Sequence, residues 1–428
     1  MAIHPIHQLH VFRQRARKHQ QVRDCYRLLY RKTLWEMVEN RLFKKEADKK
    51  QLLLIENLVY ELREGTFRIK EKHHKKSTEN HMESLLILEA VNIIMQSIYA
   101  DVLEKHLKVP DALFQVKRVF RNMSWCISGL LDLSQMNKVM LCQLVSVRIK
   151  DHRFIRLLHQ LLKNMSITGG QHKINELLFA VCVNELRSQL KRRTEMDGKI
   201  EVVCCQNNFL AGIAGSKKDV FYVGGILKQI MQQNLGMQIK DEHLYIRHFE
   251  KTVCFLGYCL KKIPSKQQEG VQKQLQRKKI KCYVPKKKLQ NIAREFQYGD
   301  YTIFKPTRKS KVMNLSEFDI LSLYNKEIKN LAHYYCAVEN PHSLLKLRSL
   351  AQSSFLRTIS AKRKTTPKKA AESLRRPGYE GLWISRPGKD GRKLWIRFMS
   401  GRQFSARIRR KKASYLQSIN RSKSNGSL

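Results

Sequence analysis

The sequence predicts an α+β fold, and three observations support that prediction. Apolar residues recur at helical spacing over long stretches, for example at Ile320, Tyr324 and Ile328. The segment 125–138 begins with an apolar run and ends in turn residues, and 200–213 has the pattern of two strands around a turn. Helical and strand-like segments alternate in the middle of the chain, which indicates helices packed against a sheet.

The individual elements follow in order from these periodicities. Helices are predicted at 1–50, 51–68, 83–107, 139–164, 174–193, 218–234 and through most of 315–375. Strands are predicted within 125–138, where a strand is followed by a turn, on both sides of a turn within 200–213, and at 241–248, 252–260, 382–385 and 393–398. Gly65 and Gly236 are expected to stop the helices before them, and Pro110 is expected to mark the end of the helix at 83–107.

Three further segments are assigned by composition. Residues 71–81 (EKHHKKSTENH) are polar and charged, so they indicate an exposed loop, with a metal site at the histidine pair as the less favoured alternative. Residues 261–281 are basic and rich in Gln, which indicates a linker or an exposed helix. The last residues, from about Ser414, are expected to be loose.

The net charge of the chain limits the classes of partner that it is expected to bind. The 428 residues include 83 Lys and Arg against 36 Asp and Glu, a formal net charge of +47. Self-repulsion on this scale is relieved by a polyanion, and nucleic acid is favoured over an anionic membrane surface. No apolar run approaches the about 18 residues of a spanning helix, so no membrane partner is expected.

Cysteines and the N-terminal segment raise two further questions. The ten cysteines are scattered, with one adjacent pair and no Cys-x-x-Cys, so buried free thiols are expected instead of zinc ligands or disulfides. Residues 1–50 are rich in Arg and poor in acids, as in a transit peptide. A mature helix is favoured because the apolar stripe continues through Trp35, Val38 and Leu42.

Several segments share their order and residues with a known family. They are LREGTFR (62–68), ESLLILEAVNIIMQSIYADVLEKHL (83–107), WCISGLLDL (125–133), VRIKDHRFIRLLHQLLK (147–163), INELLFAVCVNEL (174–186), CQNNFLAGIAGSKKD (205–219) and LGMQIKDEHLYIRHFEKTVCFLGYCL (235–260). The most specific are SEFDILSLYNKEIKNLAHYY (316–335) and SSFLRTISAKRKTT (353–366). In these segments the chain resembles the group II intron reverse transcriptase–maturases, over most of its length.

The resemblance implies a domain organisation. Residues 1–120 would hold N-terminal helices and shortened fingers, and 121–262 a degenerate reverse-transcriptase palm. Residues 263–376 would form an α-helical thumb, the maturase domain X. Residues 377–428 would add a basic extension with a small β-hairpin.

The catalytic positions depart from the family pattern. The resemblance places the three metal-binding acids of the palm at Leu130, Asn207 and Asn208, and none of these is acidic. Asp132 lies nearby, but two residues along a strand displace a side chain by about 6.6 Å. That displacement is too large to hold a metal pair about 3.5–4 Å apart. The chain is therefore expected to lack catalytic residues, metal and cofactor, and to have lost polymerase activity.

Two other departures concern the surroundings of this site. The Pro-Gln-Gly-Gly turn of the family corresponds to a scrambled Gly169–His172, and the loop between Arg68 and Glu83 is shorter than in the family. Both changes indicate a curtailed nucleotide-contacting region.

RNA binding needs only cations on a firm surface and planar groups for unpaired bases. The predicted RNA-binding residues lie at the thumb entrance and in domain X. They are Lys286, Lys287, Lys288, Arg294, Lys326, Lys329, Tyr334, Tyr335, Arg348, Arg357, Lys362, Arg363, Lys364, Lys368 and Lys369. For the two tyrosines a place in the helical core is the favoured alternative. Trp383 and Trp395 lie among cations in the tail, where nucleic-acid contact and a small apolar cluster stay equally open.

These features favour an RNA-binding splicing factor that binds a structured group II-type intron and promotes its self-splicing. The alternatives are an active RNA-directed DNA polymerase with unusual metal ligands and a general basic RNA-binding protein. No small-molecule substrate is expected, and a homodimer stays open. Family-like sequence begins near the first residue, which favours a gene translated beside its intron. A plastid is the favoured location, with a mitochondrion or a bacterium as alternatives.

Overall fold

The computed structural model divides the chain into two units, each of which is described separately. The first unit comprises Met1–His106 and Trp125–Ile246, and the second comprises Leu107–Ser124 and Arg247–Leu428. The residues that the structure describes are 5–43, 48–68, 78–103, 108–131, 136–164, 173–194, 196, 199–237, 244–264, 278–388 and 392–424. The four-part division expected from the resemblance stays a prediction.

Helices and strands alternate through the first part of the chain. In order they are α1 (Pro5–Arg17), α2 (Lys32–Leu42), α3 (Lys49–Glu64), α4 (Thr78–Ile98), α5 (Ala100–Leu103), α6 (Val109–Val119), β1 (Trp125–Leu130), α7 (Lys138–Ser146), α8 (His152–Asn164), α9 (Lys173–Arg193), β2 (Ile200–Cys205), β3 (Asn208–Ile213), α10 (Lys217–Gln233) and β4 (Leu244–His248). A 3₁₀ turn at Tyr26–Tyr30 precedes α2.

The first unit is built around a four-stranded sheet of order β2–β3–β1–β4. β3 pairs antiparallel with β1 on one side and with β2 on the other. Apolar side chains of the sheet and of the surrounding helices form one buried core. Local signals set the boundaries of the helices. For example, Ser216 and Asp219 bond each other's backbone amides at the start of α10, which satisfies two free N–H groups there.

The rest of the chain consists of small sheets and long helices. Its elements are β5 (Val253–Phe255), β6 (Tyr258–Pro264), β7 (Lys278–Tyr283), α11 (Lys286–Glu295), β8 (Gly299–Asp300), β9 (Lys305–Pro306), α12 (Glu317–Tyr334), α13 (His342–Lys362), α14 (Pro367–Ser373), β10 (Arg375–Arg376), β11 (Tyr379–Pro387), β12 (Lys393–Arg397) and α15 (Gly401–Ser424). A 3₁₀ turn at Ser310–Val312 precedes α12.

The second unit packs α12 against α13 and α15, and places a three-stranded sheet of order β10–β11–β12 beside α12. A second three-stranded sheet has the order β5–β6–β7, and β8 and β9 form a short hairpin. All of these strand pairs are antiparallel. The predicted α+β class is thus confirmed, whereas the fingers, palm and thumb arrangement stays a prediction.

Most of the predicted elements are present, and several boundaries were wrong. The N-terminal helix is broken at Lys18–Cys25, and the helix at 139–164 is two helices separated near Ser146. Pro110 does not follow a helix but lies in the first turn of α6, where its missing N–H costs no hydrogen bond. The segment 261–281 begins and ends in paired strands, β6 and β7. Its centre, residues 71–77 of the loop predicted at 71–81, Asp132 and Gly169–His172 lie outside the described residues. The loop prediction was wrong for residues 78–81, which belong to α4.

The expectation of a loose tail from Ser414 was also wrong. The chain is helical from Gly401 to Ser424. Phe404 and Ile408 are buried, and Tyr415 packs against Phe114 of α6 with 6.2 Å between ring centroids. Phe404, Ile408 and Tyr415 are separated by four and seven residues, which is helical spacing, so the sequence contained a signal for this helix.

The expectation of buried free thiols is met by eight of the ten cysteines and is wrong for the other two. Eight are buried, Cys259 is partly exposed and Cys254 is exposed. Burial raises the pKa of the Cys182 and Cys204 thiols to about 12, and burial with the neighbouring Cys254 raises that of Cys259 to about 11. Since the thiolate is the nucleophile, these groups are unreactive near neutral pH.

We therefore expect one fast-reacting thiol in the native protein. Titration with an aromatic disulfide at pH 7 should modify Cys254 first and the buried thiols only after denaturation. A Cys254→Ser variant should lose the fast phase. A fast phase that persists in this variant would contradict the burial described above.

Among the described residues, no helix is both long enough and apolar enough to cross a membrane.

Candidate nucleic-acid interface

The three positions that the resemblance assigns to catalytic acids lie together at one end of the first unit's sheet. Leu130, at the end of β1, is directly opposite Asn208, the first residue of β3. Asn208 is also opposite Cys205 of β2, and Gln206 and Asn207 form the turn between the two strands. The Leu131 amide donates to the Asn207 carbonyl at 2.7 Å. Gln206 has a left-handed φ of +53°, which the tight turn requires.

The side chains at these positions do not fit a pair of divalent cations. Such cations prefer anionic oxygen ligands, whereas the Asn amide is neutral and Leu130 offers no polar atom. Leu130 is 55% exposed and lies at the end of β1, beyond the buried residues of that strand. No three His, Cys, Asp or Glu residues are grouped so as to hold a metal ion in the parts of the chain that the structure describes.

Cations crowd the start of α11 in the second unit. Lys286, Lys287 and Lys288 are exposed in its first turn, directly after Pro285. Positive charge at a helix N-terminus opposes the macrodipole and costs stability. An anion such as a phosphate would offset that cost through both the lysines and the free backbone N–H groups.

A basic groove of about 860 Å³ lies between α12, β12 and α15, and we call it the α12–α15 groove. Its cationic and polar lining consists of Asn325, Lys329, His333, Arg397, Gln403, Arg407, Arg410, Lys411 and Ser414. Among the residues that the structure describes, no acidic side chain lines it. A concave surface of one sign of charge concentrates counter-ions, so this groove suits a phosphate backbone.

His333 lies within the α12–α15 groove and is held in its neutral form. Arg407 donates through Nε to His333 Nε2 at 3.0 Å. Burial, and then the nearby charges of Arg407 and Lys411, lower the pKa of His333 below its usual value. His333 thus positions the Arg407 guanidinium and adds no charge at neutral pH.

Most of the predicted RNA-binding cations are exposed. Arg294 lines a second concavity of about 580 Å³ together with Lys305 and Arg308. The exposed members of the predicted set are Lys286, Lys287, Lys288, Arg294, Lys326, Lys329, Arg357, Lys362, Arg363, Lys364, Lys368 and Lys369. Lys326 and Lys329 are three residues apart on α12 and lie on the same side of the helix.

Three of the predicted cations have internal partners. Arg348 donates from Nε and Nη2 to the Met399 carbonyl at 2.8 and 2.6 Å, and burial lowers its pKa to about 10. Arg363 binds the Glu317 carboxylate through two nitrogens, and Lys362 donates to the Met313 carbonyl at 2.8 Å. The bonds of Arg348 are structural, and those of Arg363 reduce the charge it presents to a ligand.

The two tyrosines pack into the second unit. Tyr335 is 2% exposed, and its ring lies 5.1 Å from that of Tyr258. The Tyr334 hydroxyl donates to the Leu256 carbonyl at 3.1 Å, and its ring stacks with Tyr258 at 6.3 Å. The alternative of a core role therefore applies to Tyr335, whose ring offers no face to a base.

The sequence reasoning did not find the cations of α15. Arg407, Arg410 and Lys411 line the α12–α15 groove, but their segment was not assigned as a helix. The four-residue spacing of Phe404 and Ile408 was the available signal for a helix. At 3.6 residues per turn, Arg407 and Lys411 lie beside that buried stripe and Arg410 lies farther around the helix.

We expect charge reversal in the α12–α15 groove to weaken RNA binding. Lys329→Glu and Arg410→Glu together should raise the Kd for structured RNA by at least about tenfold, since each replaces an attraction to phosphate by a repulsion. Filter binding at fixed salt measures the effect. Lys217→Glu and Lys218→Glu together, the same two charge reversals at exposed positions on α10, are the control for net charge. An equal effect of the control would contradict a localised interface.

The α+β fold, the hairpin without acids and the basic helical unit are typical of a nucleic-acid-binding protein. Residues 277–394 match the model of the type II intron maturase family. The chain is 22% identical to the group II intron-encoded protein LtrA of Lactococcus lactis subsp. cremoris over an alignment of 412 residues. That alignment covers 73% of this chain and 68% of LtrA, and LtrA of strain MG1363 gives the same values. The chain is thus similar to group II intron maturases over residues 277–394 and to a group II intron-encoded protein over most of its length, in agreement with the resemblance.

Proposed function

We propose that this protein is a maturase without polymerase activity, an RNA-binding splicing factor that acts on a group II-type intron. The observation that carries the proposal is the pairing of two features within one chain. The second unit presents a broad cationic surface, while Leu130, Asn207 and Asn208 leave the polymerase-like hairpin without carboxylates. Such a chain would still bind RNA, but it would not hold the metal pair that polymerase chemistry requires.

The proposed mechanism is binding that stabilises the splicing-competent fold of the intron. RNA helices repel one another where they must approach, and a protein that neutralises phosphates at those points lowers the repulsion. The α12–α15 groove and the lysines at the start of α11 supply the cations on rigid helices. The RNA itself would carry out the transesterification, and specificity would come from RNA shape and unpaired loops.

A general basic RNA-binding protein is the second candidate, because the net charge of +47 favours any polyanion. The two candidates differ in specificity. A maturase should prefer its own intron over unrelated structured RNAs of equal length at physiological salt, and a general binder should not.

Crosslinking the protein to RNA in cells and sequencing the bound transcripts identifies the intron. The purified protein should then accelerate splicing of that intron at a magnesium concentration where the RNA alone splices slowly. Uniform crosslinking to all structured transcripts, with no effect on splicing, would overturn the proposal in favour of the general binder.

A plastid location, with a mitochondrion as the alternative, is part of the same proposal and is tested by fractionating the crosslinked material.

A further inference from the structure

The sheet β10–β11–β12 has two faces of opposite character. Its inner face carries Leu382 and Ile384, each 7% exposed, and packs against α12. In the antiparallel register Trp383 is opposite Arg397 and Ser385 is opposite Trp395. Side chains alternate along a strand, so Trp383, Trp395 and Arg397 share the outer face.

Aromatic rings and guanidinium groups form an ordered stack on that outer face. The Arg376 guanidinium lies 4.1 Å from the ring centroid of Tyr379 and 4.5 Å from that of Trp395. The Arg397 guanidinium lies 5.5 Å from the ring of Trp383. Trp383 is also fixed by its indole N–H, which donates to the Glu380 carbonyl at 3.0 Å. We call Tyr379, Trp383, Trp395, Arg376 and Arg397 the outer-face stack.

The aromatic rings of the outer-face stack are exposed to solvent. Tyr379 is 53% exposed and Trp395 is 38% exposed, although the inner face of the same sheet is buried. Neighbouring exposed rings rimmed by polar residues are typical of an interaction site. Their flat faces match nucleobases, and the guanidinium planes between them offer further stacking surfaces.

The charge around the stack selects the type of ligand. Between residues 375 and 397 the sequence has seven Lys or Arg residues and two acids. Arg375, Arg392 and Lys393 are exposed beside the stack. Cations that surround exposed rings fit a polyanion with accessible bases, whereas the bases of a duplex are hidden between their neighbours.

We propose that the outer-face stack binds unpaired nucleotides of the RNA, with bases stacked on Tyr379 and Trp395 and phosphates facing the flanking cations. This inference rests on the proposed RNA-binding function and adds to it a second, chemically distinct contact. The α12–α15 groove would take the phosphate backbone of structured RNA, and the outer-face stack would take a single-stranded loop or end.

The test compares a short oligouridylate with an RNA duplex of equal length, both fluorescently labelled, in anisotropy titrations with the full-length protein. Trp395→Ala and Tyr379→Ala should each raise the Kd for oligouridylate by about tenfold, and should change the Kd for the duplex by less than about twofold. Trp395→Phe keeps an aromatic face and should retain most of the affinity. Leu394→Ala removes an exposed apolar side chain from the adjacent position and should have no effect.

Each outcome distinguishes this inference from the proposed function. If the wild-type protein binds duplex and intron RNA but the Ala variants bind oligouridylate normally, the outer-face stack is not the site and a protein partner becomes its better occupant. If the variants lose duplex and oligouridylate affinity equally, the face acts through charge and the stacking is overturned. If the wild-type protein binds no RNA, the proposed function fails as well.

Photocrosslinking gives a readout that does not depend on the stability of any variant. Oligouridylate that contains 5-bromouridine should crosslink to peptides bearing Tyr379 or Trp395 in the wild-type protein. Crosslinks confined to other peptides would overturn the proposal.

Discussion

Replacing Glu327 by Gln should lower the free energy of unfolding of the second unit by about 3–5 kcal/mol, because it leaves a buried ammonium group without its partner. Lys309 is 6% exposed, and its Nζ forms an ion pair with Glu327 of α12. The side chains of this pair are 8% and 13% exposed. A charge so far from water is tolerated only while it is paired and hydrogen bonded.

The groups around the ion pair explain why one substitution should have so large an effect. The Lys309 ammonium lies 5.1 Å from the ring of Tyr324 and 5.6 Å from that of Tyr298. The Tyr298 hydroxyl donates to Glu327 at 2.7 Å, and burial followed by the Glu327 charge raises the pKa of Tyr298 well above its usual value. The Lys309 amide donates to Thr358 of α13 at 2.9 Å. The pair therefore connects the segment before α12 to both long helices.

Urea unfolding followed by tryptophan fluorescence measures this effect in the full-length protein. Trp383 and Trp395 report on the second unit, and Trp35 and Trp125 report on the first. The double variant Lys309→Met/Glu327→Gln should recover part of the lost stability, since no unpaired charge then remains buried. Arg386→Gln is the control, because the 3.9 Å pair of Arg386 with Asp319 is exposed and contributes about 0–1 kcal/mol. A loss below about 1 kcal/mol for Glu327→Gln would contradict the structural role of the pair.

The second large effect is the response of RNA binding to salt. If about ten phosphates are contacted, the logarithm of the association constant should fall with the logarithm of salt concentration at a slope near −9 for duplex-like RNA. Between about 50 and 200 mM salt, the affinity should then drop by about 10⁵-fold. The exposed cations of α11, α12 and α14 and the α12–α15 groove are the structural source of this dependence.

Charge-neutral variants test which cations contribute to the slope. Lys286→Gln, Lys287→Gln and Lys288→Gln combined should reduce the slope by up to about 3, since each lost phosphate contact removes about 1. Arg363→Gln is the matched control, because its guanidinium already binds Glu317. A slope that the triple variant leaves unchanged would place the RNA away from the start of α11.

The sequence predicted those features that local patterns determine. The turn between β2 and β3 was placed correctly because a strand–turn–strand pattern fixes which residues are at the tip, and so Asn207 and Asn208 could be located. The helices of the maturase region were found because their apolar stripes are long and uninterrupted. A helix boundary such as that at Pro110 was missed because proline is compatible with both the end and the first turn of a helix.

The candidate interface was only partly predictable, because the availability of a cation depends on tertiary partners. Arg348 and Arg363 have the same local pattern as their exposed neighbours, yet one binds the Met399 carbonyl and the other binds Glu317. The α12–α15 groove was missed because its α12 and α15 walls are more than 60 residues apart in the sequence and the α15 wall was not assigned as a helix. Burial and pairing over such separations have no local signature.

The central claim is that this protein acts on RNA by binding alone, and primer extension on an RNA template tests it most directly. The reaction is run with Mg²⁺ or Mn²⁺ on the same wild-type preparation that is assayed for intron splicing. We expect accelerated splicing and no template-dependent extension, because Leu130, Asn207 and Asn208 provide no carboxylate for a metal pair. Template-dependent DNA synthesis by this preparation would contradict the claim.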